Sequence, residues 1–146
     1  MKPVRTWILV ADAEAARVIA HPGPGKGLHQ IRGKTYCAKT LFEPADQQGR
    51  TFSSAHTARH KLEPHLGGEQ RETRAFAETL MVELARCHRK GYFDRLILCA
   101  APDMLAHLRK KVPGPMKSCV MAEIAKDLTN VPTNSLPRHF EDVLRV

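Results

Sequence analysis

The sequence predicts a single α/β domain with a mixed five-stranded sheet. Three observations support this fold class. The chain opens with three short segments that have strand patterns and are separated by turn residues. One long segment with apolar residues at helical spacing follows the middle of the chain. The last third alternates strand-like and helix-like segments, which predicts parallel strands joined by crossover helices. The predicted element order over residues 1–146 is therefore β-β-β-α-β-α-β-α.

The opening segments predict an antiparallel meander. Residues 7–11 form a continuous apolar run, which predicts a strand that is buried on both faces. Residues 16–21 alternate between apolar and polar side chains and predict a second strand. The glycines and prolines of residues 22–27 predict a loop. Residues 28–35 contain few large aliphatic side chains, so we expect a third strand at the edge of the sheet.

The clearest helix begins at residues 68–70 and ends near Gly91, a natural C-cap. Acidic residues at its start and basic residues at its end match the helix dipole. Its apolar residues recur at helical spacing; they are Phe76, Ala77, Leu80, Met81, Leu84, Ala85 and Cys87.

The remaining elements follow in alternation. Residues 94–100 predict a buried strand, and Pro102 can begin a helix that runs to Val112. Residues 118–124 predict another strand. Ser135 can cap a last helix that runs through Leu144. This architecture is of the broad ribonuclease-H-like kind, a sheet sandwiched by helices.

Composition limits the classes of function. The chain has 146 residues, of which 42% are hydrophobic and 26% charged, as is typical of one globular domain. The net charge of +8 favours a polyanionic partner. The four cysteines form no C-x-x-C pair, so neither a zinc ribbon nor a disulfide framework is expected. Asp12 and Glu14 interrupt the first apolar run, so we expect a cytoplasmic protein without membrane insertion.

A polar segment at about residues 43–68 is predicted to be a long functional loop, because such loops are uncommon in compact domains. Its basic side chains, together with the start of the following helix, could clamp the phosphates of a nucleic acid. The alternative is a solvated basic loop. The candidate nucleic-acid-binding residues are Arg59, His60, Lys61, His65, Gly67, Gly68, Gln70, Arg71 and Arg74.

Several segments carry a family resemblance. They are W-I-L-V-A-D-A-E-A-A-R-V at residues 7–18, H-T-A-R-H-K-L-E-P-H at 56–65, F-D-R-L-I-L-C-A-A-P at 93–102 and K-D-L-T-N-V-P at 126–132. In this order they resemble the bacterial family of proteins required for attachment to host cells. That family is similar to the central domain of archaeal and eukaryotic class-one peptide-release factors, in which a Gly-Gly-Gln loop precedes a long helix.

This resemblance implies a mixed five-stranded sheet and a partner that is RNA or the ribosome. It also implies that Gly67, Gly68 and Gln70 correspond to the release-factor loop, although Glu69 separates the glycines from the glutamine here. The attachment phenotype that names the family implies no chemistry.

A second group of candidate residues follows the predicted strands. Asp12 ends the first strand, and Lys126 and Asp127 follow a strand expected to be parallel to it, so they could line one pocket. The resemblance makes Asp12 and Arg17 a motif pair. With a neighbouring carboxylate, Asp12 could hold a divalent cation. The favoured alternative is a turn carboxylate that accepts backbone N–H bonds or pairs with Arg17.

The leading hypothesis is an RNA- or ribosome-associated domain that binds phosphates and uses no cofactor or metal. The first alternative is an adaptor that acts in surface attachment through protein contacts. The second is a divalent-metal nuclease or phosphoesterase that uses Asp12. No reaction can be assigned, and a role without catalysis is favoured. The sequence does not determine the oligomeric state.

Overall fold

The computed structural model describes residues 3–38 and 68–146. Its centre is a five-stranded sheet with the order β3-β2-β1-β4-β5. The strands are β1 (Thr6–Ala11), β2 (Ala15–His21), β3 (His29–Cys37), β4 (Arg95–Ala100) and β5 (Val120–Ile124). This confirms the α/β class and the mixed five-stranded sheet.

The pairing of the strands explains why β1 is buried throughout. β1 is antiparallel to β2 and parallel to β4, so it has a hydrogen-bonded neighbour on each side. β4 is in turn parallel to β5, as the alternation of strands and helices predicted. β3 pairs only with β2 and lies at the predicted edge position. All six residues of β1 are buried, which confirms the interpretation of the continuous apolar run.

Three helices of residues 68–146 cover one face of the sheet. They are α1 (Gly68–Arg89), α2 (Pro102–Lys111) and α3 (Gly114–Lys117). The apolar stripe of α1 packs against the side chains of β1 and β4 that point to this face, including Leu9 and Leu98. The single turn of α3 was not predicted. Its prolines lie before and within the first turn, where a missing N–H breaks no helical hydrogen bond.

The C-terminal segment covers the opposite face, and the prediction of a final helix there was wrong. Short 3-10 turns stand at Thr133–Ser135 and Pro137–His139 instead of the helix predicted over residues 135–144. Leu136 keeps helical dihedrals before Pro137, but Phe140 departs from them, with φ −117° and ψ 9°, and ends the second turn. The tighter turns bury Leu136 and Phe140 against the sheet, in a second apolar cluster with residues such as Ile8 and Ile97.

The predicted loop at residues 43–68 lies outside the described residues, apart from Gly68, which begins α1. The ribonuclease-H-like assignment of the fold stays a prediction. Within residues 3–38 and 68–146, no helix combines the length and the apolar character needed to cross a bilayer.

Candidate functional site

A cleft opens at the carboxyl edge of the parallel strands. The chain leaves β1 toward β2 on one side, and it leaves β4 toward α2 and β5 on the other. Because the two connections diverge, a gap forms between the ends of β1 and β4, which is where open α/β sheets commonly bind ligands. A cavity of about 700 Å³ occupies this gap, and Asp12 and Ala101, the residues that follow the two strands, both line it. We call it the carboxyl-edge cleft.

The carboxyl-edge cleft is strongly acidic. In the part of the chain that the structure describes, six carboxylates line it; they are Asp12, Glu14, Glu69, Glu72, Asp103 and Asp127. Glu69 and Asp103 lie in the first turns of α1 and α2, where the helix dipole favours negative charge locally. The helix dipole does not explain the other four carboxylates as a group. A net charge of +8 for the chain therefore conceals a concentrated negative region.

Among the described residues that line the cleft, His107 is the only basic side chain. Burial lowers the pKa of its imidazole from the ordinary value, and the positive charges of Lys110 and Arg74 lower it further, against the opposing effect of Asp103. The neutral form of the ring is therefore favoured at neutral pH. His107 consequently does not offset the charge of the six carboxylates.

Asp12 is a turn carboxylate. Its Oδ1 atom accepts hydrogen bonds from the backbone N–H groups of Glu14, at 2.8 Å, and Ala15, at 2.7 Å. Its Oδ2 atom accepts the hydroxyl of Thr129 at 3.0 Å. Asp127 binds the same threonine, with Oδ1 at 3.1 Å from its backbone nitrogen and 2.6 Å from its hydroxyl oxygen. The two aspartates thus converge on one hydroxyl group at the wall of the cleft.

The Arg17 side chain lies on the face of the sheet opposite to α1. It lies opposite Val10 in the β1–β2 pairing, on the face that the C-terminal segment covers. Its Nη2 atom donates to the carbonyl oxygens of Leu128, at 3.0 Å, and Val131. Burial lowers the pKa of the guanidinium, and its Nε atom is buried without a hydrogen-bond partner among the described residues.

The Nη1 atom of Arg17 donates to the side chains of Gln30, at 3.2 Å, and Thr133, at 3.4 Å. Within the part of the chain that the structure describes, no ion pair joins Arg17 to Asp12. Pairing of these two residues, one form of the turn-carboxylate interpretation, is therefore wrong. The form in which Asp12 binds backbone N–H groups is correct.

Two of the four residues predicted to share a pocket line the carboxyl-edge cleft. They are Asp12 and Asp127. Lys126 is exposed and does not line the cleft, while its carbonyl oxygen accepts the Cys99 thiol at 3.3 Å. Arg17 is separated from the cleft by the sheet. The family motif therefore contributes partly to the cleft and partly to holding the C-terminal segment.

The start of α1 brings few of the predicted phosphate-binding residues to this cleft. Gly68 begins the helix, and Gln70 lines the cleft beside Glu69. Arg71 is half-buried and Arg74 is exposed, and neither lines the cleft. The other candidates lie outside the described residues; they are Arg59, His60, Lys61, His65 and Gly67. Among the residues described, no three His, Cys, Asp or Glu side chains are grouped to hold a metal ion.

Glu72 and His107 were not predicted as site residues. Both lie inside helices, where a polar side chain at helical spacing is usually solvated surface. The sequence did contain a signal for the cleft: carboxylates follow β1 and β5 and also lie in the first turns of α1 and α2. The parallel strands end at one edge of the sheet, and α1 and α2 begin at the same edge. These positions therefore lie close together in the fold.

Comparison with known proteins adds the family. A family model described as "Protein required for attachment to host cells" matches residues 7–140. No curated protein matches the chain. The family match does not extend to release factors, so that similarity stays a prediction. Because the match spans most of the sequence, the protein belongs to the family of proteins required for attachment to host cells.

Proposed function

We propose that this protein is a binding domain that contributes to attachment by holding a Lys- and Arg-rich segment of a partner protein in the carboxyl-edge cleft. The observation that carries the proposal is the cavity of about 700 Å³ between the ends of β1 and β4 with its six carboxylates. This volume lies within the range of about 300–1,000 Å³ that is usual for ligand sites. Its position is the one that open α/β sheets favour for ligands.

The charge of the cleft selects the chemistry of the ligand. Clustered carboxylates in a concave site focus a negative potential, which attracts cations and accelerates their association. Met104, Ala101 and Ala106 add apolar surface to the lining. Lys and Arg side chains suit such a site, because their methylene stems can lie on apolar surface while the charged heads reach carboxylates.

The same charge opposes the binding of phosphates at this end of α1. Arg71 and Arg74 are accompanied in the first turns by Glu69 and Glu72, and the two glutamates line the cleft. A nucleic acid backbone brought to this edge would meet carboxylates. The carboxylates of the described part of this edge support the adaptor alternative, while most residues of the RNA hypothesis lie outside that part of the chain. The nuclease alternative is weaker because both oxygens of Asp12 already accept hydrogen bonds from the protein.

A peptide-binding experiment tests the proposal. We would titrate the protein into a fluorescent Lys- and Arg-rich peptide and into a single-stranded RNA oligonucleotide of similar length, at several salt concentrations. The test variant is Glu14→Gln/Glu69→Gln/Asp103→Asn, which neutralises three exposed carboxylates of the cleft. The matched control is Glu141→Gln/Asp142→Asn, two exposed acids in the C-terminal segment.

We expect the wild type to bind the peptide and to lose affinity as salt rises. The cleft variant should bind at least about ten-fold more weakly, because each lost charge pair in a partly desolvated site is worth several tenths of a kcal/mol or more. The control variant should bind like the wild type. Equal binding by the cleft variant, or binding of the RNA but not the peptide, would reject the proposal.

A further inference from the structure

A cysteine–histidine pair lies at the amino edge of the parallel strands, at the opposite end of the sheet from the carboxyl-edge cleft. The Sγ atom of Cys119 lies 3.1 Å from Nε2 of His88. His88 lies in the last turn of α1, and Cys119 immediately precedes β5. The two residues are 31 positions apart, so only the tertiary structure brings them together.

Both partners are held in place. The backbone N–H of Cys119 donates to the carbonyl of Met116 at 2.9 Å, and its own carbonyl accepts the N–H of Leu96 at 2.9 Å. The His88 ring contacts the ring of Phe93, with centroids 5.4 Å apart. Phe93 is buried and stacks on Trp7 at 4.8 Å. The distance between thiol and imidazole is therefore set by the packed core on one side and by the sheet on the other.

The pair is also accessible, and both of its members have basic neighbours in the sequence. Cys119 and His88 are both partly exposed, whereas Cys87 and Cys99 are buried. Arg89 follows His88 directly, and Lys117 lies two residues before Cys119; both are exposed. Cationic neighbours and an adjacent imidazole are the features that make a cysteine a nucleophile.

We propose that Cys119 is a covalent modification site that reacts with small anionic disulfides and uses His88 as its proton acceptor. In the reaction the thiol proton moves to Nε2 of His88 as Sγ attacks one sulfur of the disulfide. The S–S bond of the reagent breaks, and a new bond joins Sγ to the attacked sulfur. The leaving thiolate then takes the proton from His88, so that one thiol and one disulfide give one mixed disulfide and one thiol.

The competing interpretation is a structural hydrogen bond in which the His88 ring only covers the thiol. The two interpretations predict opposite effects of removing the ring. If His88 accepts the proton, its replacement slows the modification of Cys119. If His88 only covers the thiol, its replacement exposes Sγ and accelerates the modification.

The experiment measures modification of each cysteine by glutathione disulfide at pH 7, using mass spectrometry of proteolytic peptides. Exposed Cys37 serves as the reference thiol within the same molecule. In the wild type we expect Cys119 to react at least about ten-fold faster than Cys37, as is typical for assistance by a positioned base. The variant His88→Asn should remove most of this advantage and leave the rate at Cys37 essentially unchanged, because reactivity follows the local surroundings of each thiol. Cys119→Ser should abolish the fast adduct.

A second comparison tests the preference for anions. Lys117→Gln should slow the reaction with glutathione disulfide by about two- to five-fold and leave the reaction with neutral 2-hydroxyethyl disulfide unchanged. A wild-type Cys119 that reacts no faster than Cys37 would overturn the proposal even if the His88 variant failed to fold. An unchanged or increased rate in a folded His88→Asn protein would overturn it as well.

Discussion

The Oγ1 atom of Thr129 lies 3.0 Å from Oδ2 of Asp12, and this contact joins the loop after β5 to the turn after β1. The same oxygen lies 2.6 Å from Oδ1 of Asp127. A hydroxyl carries one hydrogen, so it can donate to only one of the two carboxylates at a time. One hydroxyl group at the wall of the carboxyl-edge cleft is thus shared between two acids, which also accept backbone N–H groups.

Replacing Thr129 with Val should destabilise the protein by about 1–2 kcal/mol. Valine keeps the shape of the side chain but removes the donor, so the two carboxylates lose their shared partner. The free energy of unfolding in urea provides the measurement. Thr129→Ser retains the hydroxyl and is the control. A valine variant as stable as the serine variant would show that the hydroxyl contributes nothing.

Replacing Arg17 with Met should loosen the C-terminal segment. The guanidinium donates to the carbonyl oxygens of Leu128 and Val131. Its removal takes one donor from each of them, and the Leu128 carbonyl keeps the N–H of Val131 at 3.1 Å. We expect a loss of about 2–3 kcal/mol. Hydrogen exchange should accelerate more at residues 133–140 than in β1, because the hydrogen bonds of Arg17 hold the C-terminal segment against the sheet.

The control for this experiment is Arg138→Met, which removes an exposed arginine from the same segment. It should change exchange little. Equal acceleration over the whole sheet in the Arg17 variant would contradict a local anchoring role.

Glu83 should make stability depend on pH in the acid range. Hydrogen bonds from Arg86, at 2.8 and 2.9 Å, and from Lys34, at 2.9 Å, lower the pKa of its carboxyl from 4.5 to about 2, against the opposing effect of burial. The folded pKa is the lower one, so its stabilisation is fully present above about pH 4.5. It is lost as the pH falls toward 2.

Glu83→Gln should therefore lower the free energy of unfolding by about 1–2 kcal/mol at pH 7, and by progressively less as the pH falls below about 4.5. The value is modest because the pair with Arg86 is partly exposed. Urea unfolding of both proteins between pH 2 and pH 7 supplies the comparison. Glu78→Gln is the control, since Glu78 is more exposed and, among the described residues, pairs with Lys111 alone. A difference between wild type and Glu83→Gln that stays constant with pH would refute the assignment.

Gly91 should resist substitution because of its backbone. Its φ angle is 77°, and the N–H of the next residue, Tyr92, closes the helix end by donating to the Cys87 carbonyl at 3.1 Å. A Cβ atom added at this position would meet no other atom within 4 Å, so Gly91→Ala should cost only the conformational strain, about 1 kcal/mol.

Gly91→Asn should cost less than Gly91→Ala, because asparagine tolerates this conformation better. Gly114→Ala is the matched control, since that glycine also has open space around it but does not have a positive φ. Thermal unfolding of the three variants would give the ranking. Equal effects at the two glycines would argue against strain as the cause.

Local patterns predicted the elements whose burial is uniform or regularly periodic. The continuous apolar run of β1 and the helical spacing of α1 each specify one structure, because each pattern buries its apolar residues in only one conformation. Residues 135–144 misled the prediction because Phe140, Val143 and Leu144 have helical spacing. The chain instead forms 3-10 turns, and Leu136 and Phe140 are buried against the sheet.

The sequence by itself determined the fold class, the central position of the first strand and the acidic turn at Asp12, since these follow from local apolar patterns and turn chemistry. The family match on residues 7–140 agrees with the resemblance carried by those segments. Only the tertiary structure decided that six carboxylates from separate elements face one cleft and that His88 meets Cys119. The physical reason is that charge and reactivity depend on distances across the fold, and sequence separation does not constrain those distances.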